Sequence, residues 1–238
     1  MPLSIRIFKA RFTWLQILIH VGAWLPGIYL AAAYYTDNLT INPIQALTQR
    51  MGFTALVLLV LSLACTPANS LFGWRQALKL RRPLGIYAFL YASAHFLIFT
   101  GLDYGFDFAL LIHENLDKPF ILIGAIALLI LLALAVTSFQ WWMKRLGKKW
   151  KQLHRLIYPA ALLVLLHFTW SQKGNLLRLQ GEILQPVIFS LIVGILLLVR
   201  IPIIRRQINR LRSAFPRPPS KSQEKKQTWD PTNTRAGS

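Results

Sequence analysis

Six stretches of this chain contain no Asp, Glu, Lys or Arg, and that pattern constrains the fold more than any motif. They run Phe12–Thr36, Met51–Trp74, Pro83–Leu102, Pro119–Met143, Leu156–Gln172 and Ile183–Val199, with lengths of 25, 24, 20, 25, 17 and 17 residues. A helix needs about 20 apolar residues to cross a bilayer. The two short stretches extend easily, because Lys and Arg at helix ends snorkel to the interface. The pattern predicts an all-α integral membrane protein, a six-helix transmembrane bundle. The first stretch does not read as a cleavable signal peptide, since its apolar core is too long and no small-x-small site follows. Pro83 and Pro119 are expected to open their spans at first-turn positions, where no backbone donor is lost. Pro26, Pro159 and Pro186 fall inside or near the ends of spans, where neighbouring helices can satisfy freed carbonyls.

Charge sets the orientation. The chain holds 27 Lys and Arg against 8 Asp and Glu. Nucleic acid is not the implied partner, because the basic residues lie between long apolar blocks. Twenty-three of the 27 fall in the N-terminus (Arg6, Lys9, Arg11), the second-to-third loop (Arg75, Lys79, Arg81, Arg82), the fourth-to-fifth loop and the C-terminal tail. The opposite loops hold Arg50, Lys118, Lys173 and Arg178, together with six of the eight acids. The positive-inside rule then places both termini in the cytoplasm. The expected organisation is a cytoplasmic N-terminus over residues 1–11, a six-span domain over 12–205 and a disordered basic tail over 213–238, rich in Pro, Lys and Ser. The single cysteine, Cys65, rules out a disulfide framework, a thiolate cluster and a C-x-x-C-H haem attachment. No Gly-rich phosphate loop marks a nucleotide domain.

Four of the five histidines, His20, His95, His154 and His167, lie in or at the edge of spans. Ionisable groups at membrane depth are costly and point to function, and neutral imidazole is a common axial ligand of haem iron. Counted from the cytoplasmic ends of their spans, His95 is about 18 Å deep and His167 about 16–17 Å deep. Two imidazoles on different helices at one depth can clamp one haem. His154 precedes His167 by about 20 Å of helix, and Arg81 precedes His95 by a similar rise. That spacing is how membrane cytochromes stack two haems, here with an arginine among the four positions. Thirteen residues leave His154 and His167 about 140° apart on a straight helix, and a kink at Pro159 could correct the register. Plainer uses compete. The His95–His167 pair could be polar glue between helices, His154 a headgroup contact, Arg81 a topology signal and His20 a packing residue. Gly85 and Gly124 can allow close approach of a helix or a haem, with helix packing the commoner use.

Several strings, in order, resemble the YedZ/MsrQ family: LIHVGAWLPGIYL (Leu18–Leu30), Asn42-Pro43, Thr66-Pro67, RRPLGIYAFLYASAHFLIF (Arg81–Phe99), LALAVTS (Leu132–Ser138), WMKRLGKKWKQLHRLIYPA (Trp142–Ala161) and LLHFTWSQK (Leu165–Lys173). The similarity covers about residues 12–205. One mild departure is Lys118-Pro119-Phe120, where the family usually has Arg-Pro-Tyr. The resemblance implies the haem-binding membrane subunit of a protein-methionine-sulfoxide reductase system, with a ferric reductase-like transmembrane domain in the bacterial inner membrane. It implies electron transfer from the quinone pool or a separate cytosolic flavin reductase, through one or two b-type haems, to a periplasmic molybdopterin subunit of the MsrP type. The chain would then be an electron-transfer subunit, not the catalytic one. FMN is implied as a further cofactor, with no residues assigned to it. His95, His154 and His167 fall on the family's haem-ligand positions, and Arg81 on its proposed fourth.

Two other readings remain at this level. A ferric or cupric reductase core would need its nucleotide domain on another chain. A non-redox transporter or scaffold would leave the histidines incidental, but transporters tend to show repeated halves and buried charge at mid-membrane. The spans contain no acidic residue, and no internal repeat is evident in the sequence.

Overall fold

A computed structural model describes residues 4–7, 10–115, 117–172, 184–201 and 204. The expected tail, 213–238, and the loop carrying Lys173 and Arg178 lie outside the described residues. A short antiparallel hairpin, β1 (Ser4–Ile7) and β2 (Ala10–Thr13), precedes the helices. The other described elements are helices: α1 (Trp14–Tyr35), α2 (Pro43–Phe72), α3 (Ala77–Ile98), α4 (Phe108–Asn115), α5 (Pro119–Val136), α6 (Gln140–Leu146), α7 (Lys148–Leu153), α8 (Ile157–Ser171) and α9 (Leu184–Leu198). A π-helical turn, Phe99–Asp103, extends α3, and a 3₁₀ turn, His154–Leu156, joins α7 to α8.

Among the described residues, five helical segments are long and apolar enough to cross a membrane: Trp14–Tyr35, Pro43–Phe72, Ala77–Asp103, Pro119–Val136 and Lys148–Ser171. The apolar α9, with 15 residues, is shorter. The outer surface agrees with a bilayer environment. Leu18, Val21, Leu25 and Ile28 form an exposed stripe on α1, as do Leu122, Ile126 and Leu129 on α5. Stripes of this kind are stable only against lipid or another apolar surface. The chain is a multi-pass membrane protein.

The core sits on α2. Half of its apolar window is buried, against 17–22% for the other four spans. Leu56, Leu59 and Leu63 of α2 meet Leu80, Leu84 and Ala88 of α3 in one buried cluster. The two dominant pairings are α2 with α3 and α5 with α8.

Helix ends differ from the charge-free stretches for definable reasons. Helix α2 starts at Pro43, eight residues before Met51, because the Asn42 side chain accepts the Gln45 N–H and Pro43 takes the first turn. Arg50 rides on its exposed face. It ends on Gly73, whose φ of 70° suits a residue without a Cβ. Helix α3 starts at Ala77, so Pro83 lies inside the helix and does not open it. Arg81 and Arg82 therefore belong to the same helix as His95. Pro119 does open α5. That helix stops at Val136, short of the expected Met143. The Thr137 and Ser138 hydroxyls donate back to the carbonyls of Ala133 and Leu134, and the chain turns.

Proline also explains one long-range contact. Pro67, inside α2, has no N–H to give the Leu63 carbonyl four residues back. The Arg200 guanidinium, just after α9, donates to that carbonyl at 2.6 Å. The same guanidinium lies 5.4 Å over the Tyr158 ring.

Candidate haem site

Helices α3 and α8 each bring one histidine to the middle of the bundle. The ring centroids of His95 and His167 lie 6.0 Å apart, with an interplanar angle of 79°. A ring nitrogen binds a first-row metal at about 2 Å, which holds two trans imidazoles with centroids about 6 Å apart. The spacing therefore fits bis-histidine ligation of one iron.

Both imidazoles are held in the same way. His95 Nδ1 lies 2.8 Å from the Thr48 carbonyl on α2, and His167 Nδ1 lies 2.7 Å from the Phe120 carbonyl on α5. A carbonyl only accepts, so Nδ1 carries the proton in each ring and donates it. Nε2 is left with its lone pair, the form a metal requires. Four residues after each carbonyl stands a glycine against the ring. A Cβ on Gly52 would come within 2.9 Å of His95 Nδ1, and one on Gly124 within 2.6 Å of His167 Nδ1. Phe53, Phe168 and Phe189 pack together beside this pair with ring centroids 5.5–6.3 Å apart, and Phe120 packs on His167 at 6.0 Å.

Arg81 and His154 come together elsewhere on the same helices. They line a cavity of about 270 Å³ with Ser62, Arg82, Gly85 and Trp150. The Ser62 hydroxyl donates to the Arg81 carbonyl at 2.8 Å. His154 Nε2 lies 3.3 Å from Thr137 Oγ1, and its ring stacks on Trp150 at 4.2 Å. Both His154 and His167 thus face α5, one at each end. The change of register comes from the 3₁₀ turn His154–Leu156, just ahead of Pro159 in the first turn of α8. A 3₁₀ step turns about 120° per residue against 100° in an α-helix, so three such steps recover about 60° of the offset.

His20 is engaged with α3: its Nδ1 is 2.8 Å from the Tyr87 hydroxyl, and the rings meet edge to face. His113 lies in α4. Gly85 makes only an ordinary contact, since a Cβ there would sit 3.5 Å from Ser62 Oγ. Sequence reasoning missed Gly52, Thr48 and Phe120. The signal that could have found them is the recurrence of Gly52…His95-Phe96 as Gly124…His167-Phe168 at equal spacing.

Comparison with known proteins places the chain. The family described as ferric reductase like transmembrane component matches residues 51–165. A Rhodospirillum rubrum protein named protein-methionine-sulfoxide reductase heme-binding subunit MsrQ is 39% identical over 203 residues, covering 84% of this chain and 94% of that protein. The chain belongs to the YedZ/MsrQ family. Family members of the same name from Herminiimonas arsenicoxydans and Bordetella pertussis are 39% and 38% identical, over 80% and 76% of this chain and 86% and 85% of theirs. The part matched by the ferric reductase family contains His95 and His154, while the longer match to MsrQ relatives extends over most of the bundle.

Proposed function

We propose that this chain is the haem-binding, electron-transferring membrane subunit of a protein-methionine-sulfoxide reductase system. The observation that carries the proposal is the His95–His167 pair, two imidazoles 6.0 Å apart, each with Nδ1 on a backbone carbonyl. Family membership supports it, since relatives bear the name of that subunit.

His95 and His167 would hold the iron of a b-type haem through Nε2, from α3 and α8. Haem bound there supplies a one-electron relay across an interior that otherwise conducts no charge. The Thr48 and Phe120 carbonyls hold each ring in the metal-binding tautomer and raise its basicity. The cavity with His154 and Arg81 is the candidate place for a second haem, and its cationic groups suit haem carboxylates. FMN is the further cofactor that the resemblance implies.

In this reading α9 is the sixth span, the distribution of Lys and Arg favours cytoplasmic termini, and the family resemblance implies the bacterial inner membrane. The donor is a quinol or a cytosolic flavin reductase on the basic face. The acceptor is a periplasmic MsrP-type molybdopterin subunit.

The test is a reduced-minus-oxidised spectrum with pyridine-haemochrome quantitation on the purified protein, beside His95→Ala and His167→Ala. A b-type spectrum lost in either variant is expected. Protein purified intact from haem-replete cells without haem would sink the reading. A second reading, delivery of electrons to external ferric ion, draws on the ferric reductase match over residues 51–165. Electron transfer to the molybdopterin subunit but not to chelated Fe(III) decides for the first.

A further inference from the structure

Two helix pairs in this bundle carry the same device. In the first, α2 presents the Thr48 carbonyl and Gly52 to His95 of α3; in the second, α5 presents the Phe120 carbonyl and Gly124 to His167 of α8. Carbonyl and histidine are 47 residues apart in both. In each case the glycine stands four residues after the carbonyl, one turn along the same helix face. Each histidine is followed by phenylalanine. The correspondence is complete when residue 48 is laid on residue 120, although the segments between differ widely, α6 and α7 having no counterpart between α2 and α3.

Helix packing alone would ask each glycine for close approach to a neighbouring backbone. The contacts are of another kind. The three nearest atoms to a Cβ at Gly52 are Nδ1, Cε1 and Cγ of His95, at 2.9, 3.1 and 3.5 Å. At Gly124 they are the same three atoms of His167, at 2.6, 2.8 and 3.2 Å. The imidazole edge that carries the Nδ1 proton is what occupies the space of the missing methyl. An added methyl would overlap each ring at Nδ1, so the ring must leave the position in which it bonds to the carbonyl.

We infer that Gly52 and Gly124 are positioning residues: each is a seat that fixes the plane of one axial imidazole and holds its Nδ1–H on the carbonyl one turn earlier. The inference rests on the reading that His95 and His167 ligate haem. Two consequences follow for that haem. The Nδ1 bond raises imidazole basicity, which favours the ferric state, so losing a seat raises the midpoint potential. The seats also set the 79° between ring planes. Near-perpendicular axial imidazoles give the highly anisotropic low-spin ferric signal, and freeing one ring moves that signal toward the rhombic type.

The experiment compares wild type, Gly52→Ala, Gly124→Ala and the control Gly194→Ala, where a Cβ would meet nothing within 4 Å. Haem stoichiometry, ferric electron paramagnetic resonance and a redox titration are recorded on monodisperse detergent-purified protein. Both seat variants are expected to lose about 10–100-fold in haem affinity, and their remaining haem to show a raised potential and a less anisotropic signal. Gly124→Ala, with the shorter contact, should change more. Potentials and signals equal to those of Gly194→Ala would overturn the inference, even with lowered thermal stability. Haem-free wild type would instead overturn the underlying haem reading.

A second arm serves if the alanine variants do not fold. His95→Gly is reconstituted with imidazole, which can donate to the Thr48 carbonyl, or with 1-methylimidazole, which cannot donate from its methylated nitrogen. Restoration of the wild-type signal by imidazole alone supports the seat. Equal restoration by both overturns it.

Discussion

The bundle holds its two polar clusters on the same pair of helical rods, yet it builds them differently. His95 and His167 are matched in three respects: each donates Nδ1–H to a backbone carbonyl, rests on a glycine and precedes a phenylalanine. Arg81 and His154 share only a cavity. The Thr137 hydroxyl makes its shorter contact, 2.6 Å, with the Ala133 carbonyl and reaches His154 Nε2 only at 3.3 Å. A site made from backbone carbonyls is fixed by helix packing, whereas one made from a hydroxyl and an indole shifts with two side-chain rotamers. The first cluster should therefore bind its ligand tightly and in one geometry. The second should be easier to perturb.

The largest expected effect is on cofactor content. His95→Ala and His167→Ala should each abolish haem at the matched site, whereas His154→Ala should leave that site's spectrum intact and lower only the haem:protein ratio. Loss of all haem in His154→Ala would erase the distinction between the clusters. Pyridine-haemochrome assays on the three variants decide it.

Next in size is the brace at the arginine-rich end. Arg200→Leu removes the donor that Pro67 makes necessary, leaving the Leu63 carbonyl without its partner at a cost of about 1–3 kcal/mol. Pro67→Ala returns an N–H to that carbonyl. The double variant should therefore lose less stability than the two single losses added, by about 0.5–3 kcal/mol. Additive losses in thermal unfolding would show that the carbonyl does not couple these residues.

Smaller effects separate the clusters further. Thr137→Val removes the hydroxyl facing His154 and should alter the environment of that imidazole without changing the potential of haem at the matched site, which potentiometric titration can resolve. Tyr91→Phe should be the mildest change. Its hydroxyl donates to the Ala23 carbonyl at 2.6 Å and accepts from the Gly27 N–H at 2.8 Å, two groups that a straight helix joins directly. Without the hydroxyl α1 can close that bond itself, so a loss of about 1 kcal/mol or less is expected in thermal unfolding.

Much of this was legible in the sequence for clear reasons. Charge-free stretches mark membrane-compatible segments because burying a bare charge in lipid is prohibitive, so five apolar helices fall where they were expected. The stretches did not reveal helix ends. Asn42 and Pro43 start α2 well before the apolar run, α3 runs through Pro83, and the Thr137 and Ser138 hydroxyls end α5 early. Capping and hydroxyl back-bonding decide those ends, and neither depends on hydropathy. The histidines could be paired by depth, because rise along a helix is fixed at about 1.5 Å per residue. What they lean on could not be read the same way. Thr48 and Phe120 act through their carbonyls, which every residue has, and Gly52 acts through an absent side chain.

The sequence by itself determined that this chain is built of apolar helices and that His95 and His167 can share one depth, because hydropathy and helical rise are local properties. The tertiary structure alone decided which nitrogen of each imidazole is bare and which backbone holds it. It also decided what the equal glycine-to-histidine spacing is for, since carbonyl, glycine and ring meet only when helices distant in sequence pack side by side.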